Sequence, residues 1–148
     1  FNDRDIAGFS LDDWSGFRKD KMTMVFQDMR LFENMTVREN LEVKMKLTNA
    51  VTIDKAIAAL DKLGIGMYID RPCKFLSMGQ QQRVSIVRAL MQPFNWLLMD
   101  EPFSHLDETN TGIALELINE YCSINKAGFV ISSLGSQHHA AFDRILEL

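Results

Sequence analysis

The run WLLMDEP, Trp96–Pro102, is apolar up to a closing pair of acids and a proline. Short, uninterrupted and sharply bounded, it reads as a β-strand buried on both faces, the kind found in parallel sheets covered by helices. A segment rich in Ile and Leu follows and predicts a helix from Glu108 to Ile124. Then come GFVISS, Gly128–Ser133, read as a strand, and RILEL, Arg144–Leu148, read as a last strand. Upstream, KMTMVF, Lys21–Phe26, is again short, apolar and flanked by charge, which predicts another strand. Strands alternating with helices in this way belong to an α/β sheet.

Helices crowd the middle of the chain. Thr36 with Glu39 three residues later is a capping-box start, and Val37, Leu41 and Met45 then recur at helical spacing. The stretch TIDKAIAALDKLG repeats the scheme, with Ile53, Ile57 and Leu60 on one face and Gly64 where helices stop. A third helix is predicted from about Gly79 to Met91, with Val84, Val87 and Met91 facing inward. The sheet therefore carries a helical insertion from about Arg30 to Phe75. No repeat or low-complexity linker interrupts it.

A chain of 148 residues is long enough for one domain with a real core, and its 47% hydrophobic and 24% charged residues are ordinary for a soluble globular protein. A net charge of -4 argues against a dedicated nucleic-acid binder, which presents a basic face. No apolar stretch approaches the roughly 20 residues that span a bilayer, and no basic-then-apolar leader opens the chain. Cys73 and Cys122 stand far apart and suggest neither a metal site nor a disulfide framework, so a reduced, cytosolic setting is expected.

Two places carry groups suited to chemistry. Ser77 and Gln80 can form a capping box over the third of these helices. That leaves Gly79 unexplained, since glycine within a helix costs about 1 kcal/mol relative to alanine. Glycine is useful where something must approach the backbone closely, and a helix N-terminus with free N–H groups and a hydroxyl is a phosphate-binding surface. Both readings of Ser77 stay open. The second place is Asp100-Glu101, at the carboxyl end of the strand, where open α/β sheets place their ligands. One carboxylate there can hold Mg²⁺ and its neighbour can accept a proton from water. The simpler alternative is a pair of solvated acids.

LSMGQQQRVSIVRAL, then WLLMDEP, then SHLD resembles the ATP-binding-cassette (ABC) ATPases that drive ABC transporters, and MVFQDMRLFENMTVRENL is similar to their Q-loop. The Q-loop wording is similar to that of the lipoprotein-releasing and macrolide-exporting type. The resemblance implies a partial P-loop NTPase-like sheet with an inserted helical subdomain. It divides the chain into 1–29, part of the catalytic α/β core with the Q-loop; 30–92, a helical subdomain ending in the signature helix; and 93–148, the Walker B, D-loop and C-terminal part of the core.

The same resemblance implies roles for single residues. Leu76, Ser77, Met78, Gly79 and Gln80 match the signature motif, Met78 standing where a second glycine is usual, and Ser77 and Gly79 would bind the γ-phosphate of ATP held by an opposite subunit. Asp100 matches the Walker B aspartate that organises Mg²⁺, and Glu101 the catalytic glutamate. Gln27 matches the Q-loop glutamine, which reaches metal and water; by itself it also reads as a turn residue. Ser104 to Asp107 match the D-loop at the dimer seam, and Asp107 also reads as a helix N-cap. The glutamines after Gly79 suit a polar seam at that dimer contact. ATP, Mg²⁺, a second ATPase subunit, an integral membrane permease and a site on the inner face of the cell membrane are implied with them, and nucleic acid is not.

Two departures stand out. No G-x-x-x-x-G-K-[ST] phosphate loop occurs among the eight glycines. By family comparison the chain starts just after that loop, as a piece of a longer protein would, and by itself it is expected to bind nucleotide poorly. The family also has a histidine after the strand that follows the D-loop helix. Here Ser133 and Leu134 fall there, with His138 and His139 four and five residues later. That departure predicts slow hydrolysis, an asymmetric pairing with a competent partner, or a regulatory subunit without catalysis. Non-transport ATPases that share the signature form another class, but the coiled coils or basic surfaces common among them are not visible.

Overall fold

The computed structural model describes residues 6–134 and 142–146. Three strands, β1 (Met22–Val25), β2 (Trp96–Asp100) and β3 (Gly128–Ser132), form a parallel sheet in the order β1-β2-β3, so the WLLMD strand is central. The long connection from β1 to β2 carries α2 (Val37–Thr48), α3 (Ile53–Lys62) and α4 (Met78–Leu90), and the connection from β2 to β3 carries α5 (Glu108–Asn125). Parallel strands need such crossovers, because a hairpin cannot return the chain to the same end.

The register places Thr23, Val25, Leu97, Met99, Phe129 and Ile131 on one face. Leu97 and Met99 are buried there, as are Thr23 and Val25. On the other face Trp96 is 40% exposed and Val130 51%, with Leu98 only partly covered. This corrects the expectation of a strand buried on both sides. Among the described residues, helices close over one face alone.

The helices form where their caps and stripes predict. Thr36 Oγ1 accepts the Glu39 N–H at 3.2 Å while the Glu39 carboxylate accepts the Thr36 N–H at 2.7 Å, and Val37, Leu41 and Met45 are buried. In α3 the fully buried stripe is Ala56, Ala59 and Leu60, with Ile53 and Ile57 only partly covered, so the inner face is rotated from the predicted one. Small alanines let α3 approach its neighbours closely. After α3 the chain turns at Gly64 with φ +67, a left-handed conformation that suits glycine. Leu41, Leu60, Val84, Val87, Leu97 and Ile118 join one contiguous apolar cluster. Each large member contributes about 1.5–3 kcal/mol by leaving water.

Polar ties fasten this cluster. Buried Asn40 accepts the Phe32 N–H at 2.8 Å and donates to the Phe32 and Thr36 carbonyls at 3.0 Å each, pinning the loop that leads into α2. Residues 69–74 run antiparallel beside 33–38, with a bridge between Thr36 and Pro72. Arg83 donates from Nη1 to the Leu63 carbonyl at 2.9 Å and to Asn110 Oδ1 at 3.1 Å, linking α4 to the ends of α3 and α5.

Two expectations need adjustment. A helix, α1 (Leu11–Asp20), precedes β1 behind a Ser10–Asp13 capping box. None of its residues is buried, yet Leu11, Trp14 and Phe17 recur three apart behind the cap, a local signal that sequence reasoning missed. RILEL is not a strand at residues 144–146, and its last two residues lie outside the described part. No helix among the described residues is long and apolar enough to cross a membrane.

Cys73 and Cys122 are both buried, and burial pushes each thiol up to about 11, so little thiolate exists near neutral pH. Iodoacetamide at pH 8 is expected to label neither thiol in the native protein and both in urea, read by mass spectrometry.

Candidate functional site

All three parallel strands end on one edge, which brings together segments far apart in sequence. Val25 pairs with Met99 and Asp100 with Ser132, so the Gln27 turn, Asp100-Glu101 and Ser133-Leu134 emerge side by side. The Ser132 hydroxyl donates to Asp100 Oδ1 at 2.6 Å. Glu101 leaves the strand with φ 45, a left-handed conformation costing a non-glycine residue roughly 1–2 kcal/mol. It is held there from several directions. Its N–H donates to the Ser132 carbonyl at 3.0 Å, and its carboxylate accepts the Leu134 N–H. The amide of Leu134 thus holds Glu101, while the leucine side chain is 92% exposed.

Gln27 stands exposed in the turn after β1. Two and three residues on, Met29 and Arg30 both have positive φ, 57 and 48. Arg88 of α4 stabilises this double left-handed turn, donating from Nη2 to the Met29 carbonyl and from Nη1 to the Arg30 carbonyl, each at 2.7 Å. Burial lowers the pKa of Arg88 from the ordinary arginine value. Sequence reasoning missed this residue. The available signal was one charge inside the apolar run VSIVRALM.

At the tip of α4 the capping box is present: Ser77 Oγ accepts the Gln80 N–H at 3.3 Å and Gln80 Oε1 accepts the Ser77 N–H at 2.9 Å. Ser77 and Met78 are exposed, and the first amides of the helix have no intrahelical acceptor. Capping and an open tip therefore coexist. The fold also supplies a reason for glycine within the chain itself. A Cβ at Gly79 would lie 2.7 Å from the His105 carbonyl oxygen, so the close-approaching group is this chain's own backbone.

The glutamines also work within the chain. Gln80 closes the capping box, Gln81 Nε2 donates to the Leu76 carbonyl at 3.1 Å, and Gln82 is buried against the turn after β2. Gln82 turns inward because α4 packs against the 101–105 turn. Asp107 caps α5: Oδ1 accepts the Asn110 N–H at 2.8 Å, and the Asn110 side-chain amide donates to both carboxylate oxygens at 2.9 Å. These bonds hold the Asp107 carboxyl below the usual carboxylate range, so its cap persists above that range and is lost as pH falls through the lowered value. His138 and His139 lie outside the described residues.

The donor set at the sheet edge suits magnesium. Asp100 offers carboxylate oxygens and Gln27 an amide oxygen at this edge. Magnesium is held in that fashion, by one or two carboxylates with water and phosphate.

Gly79→Ala tests the packing of the tip. Better helix propensity favours alanine by at most about 1 kcal/mol, whereas overpacking against a fixed backbone oxygen costs about 1–3 kcal/mol. The variant is expected to be less stable in urea denaturation; a more stable variant would show that the turn is free to move.

In sequence and in fold the chain is similar to known proteins. The family model described as ABC transporter matches residues 1–104. A phosphonates import ATP-binding protein, PhnC 2 of Synechococcus sp., is 37% identical over 123 residues, covering 76% of this chain and 46% of its own length. The macrolide export ATP-binding/permease protein MacB of Marinobacter nauticus is 34% identical over 81% of this chain and 19% of its own. Among solved structures, a post-hydrolysis dimer of the ATP-binding cassette MJ0796 with ADP and Pi superposes with a TM-score of 0.76 at 25% identity, covering 89% of this chain and 60% of that one. The chain spans about half the length of the first import relatives it matches. With a matching family model over most of its residues and a parallel-sheet cassette fold, the chain belongs to the ABC transporter family.

Proposed function

We propose that this chain is part of the ATP-binding subunit of an ABC transporter, which in its full-length form binds and hydrolyses ATP to drive transport through a membrane permease. The observation that carries this reading is the sheet edge, where Glu101 leaves the central strand between the Gln27 turn and the end of β3. Residues 1–29 and 93–148 serve as the α/β core and 30–92 as the helical subdomain, although both share one apolar cluster. The subunit pairs head to tail with a second ATPase subunit and lies on the inner face of the cell membrane against an integral permease.

In this reading Glu101 accepts a proton from the attacking water, and Gln27 orients that water and links the site to the permease. Asp100 and Gln27 would hold Mg²⁺, which would offset charge on the phosphates. Ser77 and the amides of Met78 and Gly79 receive the γ-phosphate of ATP bound to the opposite subunit, as a helix N-terminus is suited to do. Gln80 and Asp107 contribute through the caps that shape the tip and the seam.

A second reading, a catalytically degenerate regulatory subunit, is favoured by one feature. Where family members carry a histidine, Leu134 presents an exposed hydrocarbon side chain and only its amide meets Glu101. Leucine neither hydrogen-bonds phosphate nor orients water.

ATP turnover of the full-length protein, reconstituted with its membrane partner, separates the readings. Glu101→Gln is expected to lower kcat about 10²–10⁴-fold, the span of general-base catalysis, while nucleotide binding persists. Absence of turnover in the unaltered protein would leave the regulatory reading. Leu134→His is expected to raise kcat about 10–100-fold, the worth of one hydrogen bond to a charged group.

A further inference from the structure

Every inward position of α4 but a few is apolar, and Gln82 is an exception that demands a reason, being 1% exposed. Its amide is fully engaged on one target. Nε2 donates to the Glu101 carbonyl at 3.1 Å and to Ser104 Oγ at 3.2 Å, while Oε1 accepts the His105 N–H at 2.8 Å. The Glu101 carbonyl on one side and the His105 N–H on the other fix the orientation of the amide, because a flip would set like against like at both backbone contacts.

The turn that Gln82 holds is weakly bonded at its start. Glu101 has positive φ, and within the turn its carbonyl receives only a long bond, 3.4 Å, from the Ser104 N–H. Gln82 supplies the shorter bond. Gly79, three residues earlier on the same face of α4, lies against the carbonyl of His105, the residue whose N–H Gln82 receives. The two residues grip both sides of one peptide-rich turn, and the grip joins the α4 tip to the residue that bears the proposed base.

We propose that Gln82 is a positioning residue: a buried amide that holds Glu101 in its left-handed conformation and sets the 101–105 turn relative to the Ser77–Gly79 tip. It touches no substrate and acts through Glu101. The catalytic consequence rests on the hydrolytic reading given above, whereas the structural link does not.

The test uses the full-length protein and two variants. Gln82→Met keeps length and volume but removes every polar contact; Gln82→Glu keeps the acceptor for the His105 N–H and loses the donors to Glu101 and Ser104. In Gln82→Met, hydrogen exchange at the His105 amide is expected to speed up about tenfold, while amides in the middle of α5 keep their protection. ATP turnover is expected to fall about 10–100-fold in kcat, with KM within about twofold, as for a misplaced catalytic group. Gln82→Glu is expected to restore His105 protection but not kcat, and it carries the test of kcat if Gln82→Met does not fold. Unchanged kcat in a folded variant, or unchanged His105 exchange in Gln82→Met, would overturn the proposal. Absence of turnover in the unaltered protein would instead overturn the hydrolytic reading, and His105 exchange would still decide whether the link exists.

Discussion

The docking of α4 on the turn that follows β2 is the contact on which the remaining geometry depends. It consists of a glycine that admits a carbonyl oxygen, a buried amide that completes three hydrogen bonds, and an apolar stripe beneath them. The apolar stripe supplies most of the energy, since area removed from water scales with stability. The polar contacts supply direction. A buried amide left without partners costs about 1–3 kcal/mol, so the turn has one favoured position against the helix.

A second turn is secured from the same helix. Arg88 binds the carbonyls of Met29 and Arg30, two consecutive residues in left-handed conformation. Gln82 and Arg88 thus extend from α4 to the ends of two neighbouring strands, one per strand. Left-handed residues other than glycine persist only where surrounding contacts over-determine them, and such residues gather where a chain positions reactive groups. Glu101, Met29 and Arg30 fit that pattern at the edge that carries Gln27, Asp100 and Glu101.

Glu101 itself is held by partners drawn from three places: the Ser132 carbonyl, the Leu134 amide and Gln82. Its environment is therefore mostly backbone. A side-chain change at position 134 leaves the hydrogen bond from its backbone N–H to Glu101 possible, so leucine is structurally tolerated there. Folding and chemistry impose separate requirements at that position.

Periodicity and caps made much of the architecture legible without coordinates. Thr36 with Glu39, Ser77 with Gln80, and the stripe Val84, Val87 and Met91 are local signals, written within a few residues and decided by backbone geometry. The same is true of Gly64, whose φ of +67 follows from its place after α3. What tertiary structure alone decided was which groups meet. Gly79 could be matched to a close approach, but only the fold names His105 as the approaching residue. The run QQQ is uniform in sequence, yet α-helical rotation of about 100° per residue sends one glutamine inward and leaves its neighbours partly exposed. The open face bearing Trp96 and Val130 likewise escaped the sequence, because burial depends on which helices cover a strand and not on the strand's own composition.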